Sequence, residues 1–225
     1  MIFRKPVFWI TATLLFIGGL FYSVQVFPKA FAILNVDLKM DREAAFSQSS
    51  TLAEKNNWGP DNYNQVASFS HDTRTQNFVE LDAGGVEKVS SLMQDGLYHF
   101  YTWTVRHYRE HEPNETRISF TPAGDFYGFK ETLAETEKGA ALGAGEARVI
   151  AENFVQNETS IQLSEFEAIE TSEEVMPSER IDHTFVYQRT KEQIGDGFFR
   201  LKLVVSGDKV TELKHFIKVP ETFSR

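Results

Sequence analysis

Ser119-Phe120-Thr121-Pro122-Ala123-Gly124-Asp125-Phe126, running on through Phe129-Lys130-Glu131-Thr132, is the stretch on which the fold turns. Two apolar runs of strand length flank a Gly-Asp pair. Such a pair reads as a tight hairpin turn, because glycine enters the positive-φ region that the turn needs. The order returns at Val204-Val205-Ser206-Gly207-Asp208-Lys209, running on through Val219-Pro220-Glu221-Thr222. The offset, 208 − 125 = 83 residues, is the size of one small α+β unit and predicts a tandem duplication. The competing reading is the chance recurrence of a common hairpin.

Upstream of each hairpin the pattern is again shared. Asp41 is placed to cap a helix in which Ala45, Phe46, Leu52 and Ala53 fall at i, i+1, i+7 and i+8, and Asn56, Asn57, Gly59 and Pro60 end it. Strand-like runs follow at Tyr63 to Phe69, Phe78 to Leu81, Leu97 to Tyr108, Arg117 to Phe120 and Phe126 to Thr132, with a short helix around Val86 to Met93. The clearest alternation puts Leu97, Tyr101, Trp103 and Val105 on one face and Thr102, Thr104 and Arg106 on the other. The second half repeats the order. A helix from about Glu146 to Val155 carries Ala147, Ile150, Ala151 and Phe154 at i, i+3, i+4 and i+7. Strands come next at Phe166 to Ile169, His183 to Gln188, Phe198 to Val205 and Val210 to Val219. The expected fold class is α+β, with two tandem helix-plus-antiparallel-sheet units at about 38–135 and 140–222.

Both units stand behind one uncharged segment. Pro6 to Phe27 is 22 residues without a charge, and at about 1.5 Å per residue a helix of that length spans roughly 33 Å, enough to cross a hydrocarbon core. Trp9 and Tyr22 suit the two interfaces, and Arg4 and Lys5 favour an N-terminus kept in the cytoplasm. The expectation is therefore cytoplasmic residues 1–5, a signal anchor at 6–27 in the lipid bilayer, a connector at 28–37 and an extracytoplasmic remainder. Ala30-Phe31-Ala32 has the A-x-A form of a cleavage site, so a cleaved signal peptide is the rival; an apolar run longer than the usual h-region of about 7–15 residues favours the anchor.

Of the 225 residues, 41% are hydrophobic and 24% charged, the proportions of a globular protein. The charge after residue 27 is 21 − 32 = −11, which predicts repulsion from phosphate backbones and anionic lipid heads, no nucleic-acid partner and no polybasic patch. The absence of cysteine excludes thiol catalysis and zinc sites built on thiolates.

The sharpest chemical motif is His107-Tyr108-Arg109-Glu110-His111, which fits the H-x-x-E-H pattern of one class of zinc proteases. That site needs a helix to bring both imidazoles to one face. Here the residues end an aromatic, β-branched strand, in which His107 and His111 would stand about 13 Å apart at roughly 3.3 Å per residue. The expectation is no metal site, with His107, Glu110 and His111 at a solvated strand end. The other histidines, His71, His99, His183 and His215, are isolated in sequence and read as surface or strand residues. Gly139, Gly143 and Gly145 lack the strand and final glycine of a dinucleotide loop and read as a linker with a helix start. Glu165, Glu167, Glu170, Glu173 and Glu174 read as a solvated acidic face. No catalytic or cofactor-binding residue is expected on this chain.

Scattered along the chain are Val26-Phe27-Pro28-Lys29-Ala30-Phe31, Asp41-Arg42-Glu43-Ala44, Asn57-Trp58-Gly59-Pro60, Phe78-Val79-Glu80-Leu81, Tyr101-Thr102-Trp103-Thr104-Val105-Arg106, Asn114-Glu115-Thr116, Phe120-Thr121-Pro122, Tyr127-Gly128-Phe129, Asp182-His183-Thr184-Phe185-Val186-Tyr187 and Ser206-Gly207-Asp208 through Val219-Pro220-Glu221. Together they resemble the N-terminal extracytoplasmic region of large bacterial CPBP-family (CAAX-prenyl-endopeptidase-like) intramembrane metalloproteases, and the repeated unit looks like PepSY-type domains. The resemblance implies a sensing or substrate-interaction region on the bacterial cytoplasmic membrane, with a membrane protease bundle or a protein or peptide substrate as partner. It places catalysis in membrane helices bearing a Glu-Glu-x-x-x-Arg motif and a divalent metal, zinc, none of which are on this chain. At Glu173-Glu174 the arginine position is Ser178, with arginine delayed to Arg180 in a polar loop containing Pro177, so no catalytic residue carries over. On this resemblance the chain is a fragment, a truncated product or a split accessory subunit. The alternative is a stand-alone membrane-anchored binding or protease-modulating protein.

Overall fold

The computed structural model describes residues 5–30 and 36–223, with side chains omitted at 28–30. Arg4, the Phe31-Ala32 part of the cleavage-like motif, residues 31–35 of the connector and Ser224-Arg225 lie outside the described residues.

The first helix, α1 (Pro6–Ala30), holds the apolar segment. Its stretch Pro6–Phe27 has mean hydropathy 1.9 and none of it is buried in the protein, so its side chains need a partner other than the domain. By length and composition it can cross a membrane, a description that a signal sequence also meets.

The helix α2 (Arg42–Asn56) begins as its sequence dictates. Asp41 Oδ1 accepts from the Ala44 N–H at 2.8 Å, and Asn57 ends the helix in the left-handed region at φ 53°. Its buried residues Ala45, Ser49 and Ala53 recur every fourth position, so one narrow stripe of small side chains lies against the sheet. After β1 (Asn64–His71) come two short helices, α3 (Thr73–Asp82) and α4 (Gly85–Gln94), and the meander β2 (Tyr101–Tyr108), β3 (Glu115–Phe120) and β4 (Phe126–Thr132). The second half opens with α5 (Ala144–Glu158), fifteen residues like α2, and continues through a 3₁₀ turn at Leu163–Glu165 into β5 (Phe166–Val175), β6 (Ile181–Ile194), β7 (Gly197–Ser206) and β8 (Lys209–Lys218).

All eight strands form one antiparallel sheet in the order β1-β2-β3-β4-β8-β7-β6-β5. Each half is a four-stranded meander, and the halves meet back to back where Phe129 pairs with Leu213 and Lys130 with Glu212. The two hairpin turns differ in length. Gly207-Asp208 is the expected two-residue turn between Ser206 and Lys209, with Gly207 at φ 65°. Gly124-Asp125 instead ends a five-residue loop between Phe120 and Phe126, closed by the Thr121 N–H donating to Asp125 O at 2.8 Å. The first turn is thus looser than its sequence suggests.

Both long helices pack on one face of the sheet. Ala45 and Ala53 from α2 and Ala147, Ala151 and Val155 from α5 share a core with Val105, Ile118, Phe129, Phe185, Leu201 and Leu213. Trp58 stacks on Phe129 with centroids 3.9 Å apart and leans on Phe154 of α5, so the core bridges the halves. A second cluster, Phe78, Val79, Val89, Leu92, Tyr98, Phe100, Phe199 and Ile217 among them, closes one end beneath α3 and α4.

Three sequence expectations are corrected. Phe78 to Leu81 is not a strand but part of α3: Asp72 caps the helix by accepting from the Thr75 N–H at 3.2 Å, and Thr75, Phe78 and Val79 form its buried face. The β2 strand starts at Tyr101 rather than Leu97, since Leu97 N–H closes the end of α4 on Leu92 O. Glu173-Glu174 lies in β5, not in a loop, because β6 continues opposite it through His183 and Asp182.

A buried arginine ties the halves together. Arg180 is 2% exposed; its Nε and Nη2 donate to the Asp182 carboxylate at 2.8 and 3.1 Å, and its Nη1 donates to Ala134 O and Glu137 O at 3.3 and 2.8 Å. Those carbonyls belong to the segment between β4 and α5. Gly139 is glycine for this reason: a Cβ there would stand 2.6 Å from Arg180 Cδ.

Candidate binding face

The helices cover the face on which Val105, Phe129, Leu201 and Leu213 point. The opposite face is open, and two clefts of about 530 and 500 Å³ lie along it, sharing Lys130 and Glu212 at the junction of the halves. Residues of alternating parity build it: Thr102, Thr104 and Arg106 of β2, Arg117 and Ser119 of β3, Gly128 and Lys130 of β4, Glu212 and Lys214 of β8, and Lys202 and Val204 of β7.

Register turns this list into two rows running across the strands. Arg106 pairs with Arg117, Arg117 with Lys130, and Lys130 with Glu212. In the next row Thr104 pairs with Ser119 and Ser119 with Gly128, while Lys214 and Lys202 oppose each other. Three cross-strand pairs therefore set like charges directly opposite, an arrangement that costs stability. The counter-charges are few. Glu115 takes both Arg106, whose Nε donates at 2.6 Å, and Arg117 at 2.9 Å; Glu212 takes Lys202 at 3.1 Å. Lys130 and Lys214 are exposed and have no ion pair among the described residues. A chain of net charge −9 thus gathers five cations on the β2, β3, β4, β8 and β7 part of one face. Sequence reading missed it because the five cations are spread over 109 positions, 106 to 214, and only sheet register gathers them.

The larger cleft ends at a polar aromatic wall. Tyr98 Oη donates to Asp72 at 2.7 Å, the His99 N–H donates to Tyr127 Oη at 3.2 Å, and Tyr127 stacks on His215 with centroids 4.6 Å apart. Burial pushes the His215 imidazole down to about 4 and lowers that of His99; burial raises the Tyr98 and Tyr127 hydroxyls. These groups stay neutral at pH 7, so the positive charge of the cleft comes from Arg117, Lys130 and Lys214, set against the carboxylates of Asp72 and Glu212. The other border is acidic: Glu170 and Glu174 of β5 and Asp182 of β6 occupy the open side at the far edge.

The chain matches no family model, no curated protein and no solved structure. Its function must be argued from the site itself.

The motif His107 to His111 does not lie on a helix. His107 sits in β2 with its side chain wholly buried, not at a solvated strand end; His111 is exposed in the following turn at φ 66°. His107 Nε2 lies 3.1 Å from Ser49 Oγ and 3.0 Å from Gln65 Nε2, and its ring stacks on Tyr63 at 3.9 Å. Burial holds it down at about 4. Gln65 Nε2 donates to Ser50 Oγ at 2.9 Å as well, so this group is a polar pin between α2 and the sheet. The serine and histidine resemble half of a nucleophilic pair, yet both are 0% exposed and no substrate can reach them. His183 is likewise buried, donating from Nε2 to Leu142 O at 2.8 Å. Glu167, Glu170, Glu173 and Glu174 lie exposed on the edge strand β5. No cluster of three His, Asp or Glu side chains fit to hold a metal occurs among the described residues.

Proposed function

We propose that this chain is a membrane-anchored extracytoplasmic binding region, the sensing or substrate-interaction part of a CPBP-type intramembrane metalloprotease whose catalytic helices lie outside this chain. The observation that carries the binding half of the reading is the open sheet face, where like-charged residues are held in register around two clefts. A merely solvated sheet face gains stability by opposing unlike charges; this one has that gain at Lys130–Glu212 but forgoes it at Arg106–Arg117, Arg117–Lys130 and Lys202–Lys214, and a local rule broken in this way is expected at a functional surface. The apolar helix α1 supports the tether. Held by one short connector, a binding face reaches an effective concentration in the mM range at a membrane neighbour, enough for weak contacts to regulate it. On this reading the zinc and its ligands belong to the neighbour, and the chain contributes recognition alone.

Two measurements test it. External protease added to sealed spheroplasts removes the domain if the bulk is extracytoplasmic; survival of the domain contradicts that topology. A photo-crosslinking residue at Thr104 or Lys130 in native membranes is expected to capture a multi-helix membrane protein bearing Glu-Glu-x-x-x-Arg, whereas the same residue at Lys55 on α2 does not. Crosslinks only to proteins without that motif overturn the protease reading.

A further inference from the structure

The two cationic rows specify the chemistry of what the face receives. Building on the binding reading above, we infer that the open face binds an acidic, extended polypeptide segment, with its carboxylates on Arg106, Arg117, Lys130 and Lys214 and its backbone over the Thr102, Thr104 and Ser119 hydroxyls.

Three independent observations converge on that occupant. The first is unspent charge: Arg106 and Arg117 share the single carboxylate Glu115 and Lys202 is met by Glu212, but Lys130, opposite Arg117, and Lys214, opposite Lys202, line the cleft with no ion pair among the described residues, and an anion there relieves the repulsion. The second is the shape of the floor. Gly128 lies between Ser119 and Lys214 in the row, and a Cβ there would meet Leu213 O at 2.5 Å, so the strands approach closely and the floor stays low. Hydroxyls at Thr104 and Ser119, 3.2 Å apart, offer donors and acceptors to a peptide backbone. The third is the border: Glu170 and Glu174 at the β5 side repel an acidic segment and confine it to β2, β3, β4 and β8. The cleft of about 530 Å³, lined by Arg117, Lys130 and Lys214, suits a few residues of chain, whereas the neighbouring one of about 500 Å³ is lined by Glu131, Glu173, Glu174, Asp182 and Glu212 and does not suit an acidic segment.

The test uses the full chain in zwitterionic nanodiscs and a fluorescent peptide, Glu-Glu-Phe-Glu-Glu, read by anisotropy. It is expected to bind, to weaken as salt rises, and to outcompete Lys-Lys-Phe-Lys-Lys. Lys130→Glu with Lys214→Glu is expected to abolish binding, while Lys138→Glu in the exposed linker leaves it unchanged. The decisive variant is Arg117→Gln. It removes two like-charge oppositions, so the melting temperature is expected to hold or rise while peptide affinity falls about tenfold, roughly 1.4 kcal/mol. A fall in melting temperature with unchanged affinity means that the rows serve the fold, and overturns the inference. So does equal or tighter binding of polyphosphate or of phosphatidylglycerol vesicles, which would make the face a phosphate or lipid site. Peptide binding is measured on this chain alone, so its failure is separate from failure to find a protease neighbour.

Discussion

Residue identity decides stability most sharply where polar groups are sealed in the core. Arg180, buried in the core, spans Asp182 and the carbonyls of Ala134 and Glu137. Arg180→Met removes the guanidinium and leaves the Asp182 carboxylate without its cation, while Ala134 O keeps the Glu137 N–H and Glu137 O keeps Ser178 Oγ as donors; about 3 kcal/mol of stability is expected to go, read as a lower urea midpoint. Arg180→Lys restores little, because a single ammonium cannot reproduce the fork. His107 and His215 set the pH response. Each has its folded value near 4 against an ordinary 6.5, so the fold prefers them neutral. Their contribution is complete above about pH 6.5 and is lost as pH falls from there toward 4, by up to roughly 3 kcal/mol each. Among the described residues no carboxylate bonds either ring to offset this. His107→Gln is therefore expected to flatten the decline of melting temperature between pH 6.5 and 4, and an unchanged slope would refute the assignment. None of this was legible in the sequence, where His107 looked like one end of a zinc motif; burial is a property of register and packing, which H-x-x-E-H spacing does not encode.

Elements were legible in proportion to how local their signals are. Asp41 and Asn57 bracket α2 with a side-chain cap and a left-handed exit, and both are readable from residue type. Asp41→Ala is expected to cost about 1 kcal/mol, seen as a melting shift of a few degrees. The strand expectation for Phe78-Val79-Glu80-Leu81 fails because a run of four, three of them apolar, fits a strand and a buried helix segment equally. The helical face of α3, Thr75, Phe78 and Val79, emerges only when the Asp72 cap is included. Packing then decides the matter, since Gly195 and Gly197 leave room for Ala83 and Phe78, which a Cβ would meet at 2.8 and 2.7 Å. The same locality explains β5. Its sequence predicts a solvated acidic run, and that run is solvated, but as the edge of a sheet where glutamates discourage pairing with another chain. Replacing Glu170 and Glu173 with Val is expected to leave folding intact and promote aggregation, measured by light scattering on heating.

At the scale of the whole molecule the repeated helix and meander were readable, and their union was not. Nothing in either hairpin announces that β4 and β8 will pair, because the junction depends on a long-range match of Phe129 with Leu213 and Lys130 with Glu212. That junction changes the thermodynamics. Two separate units could unfold separately, but here Trp58 of the first half stacks on Phe129 and leans on Phe154 of the second. Lys209 of β8 also reaches Asn57 O at 2.6 Å and Glu131 at 3.0 Å, and Lys55 reaches Glu158 at 2.5 Å. One shared core predicts one cooperative transition. The tryptophans make this measurable, since two of the three, Trp58 and Trp103, lie in the first half and the third, Trp9, can be replaced by Phe. Leu201→Ala, in the second half and wholly buried, is expected to cost roughly 2–5 kcal/mol. If the halves are coupled, the urea midpoint from Trp58 and Trp103 fluorescence falls with that from far-ultraviolet circular dichroism, by the same amount. A fluorescence midpoint that stays in place while the dichroism midpoint falls would show that the first half stands without the second, and that the β4–β8 seam is a contact between independent domains.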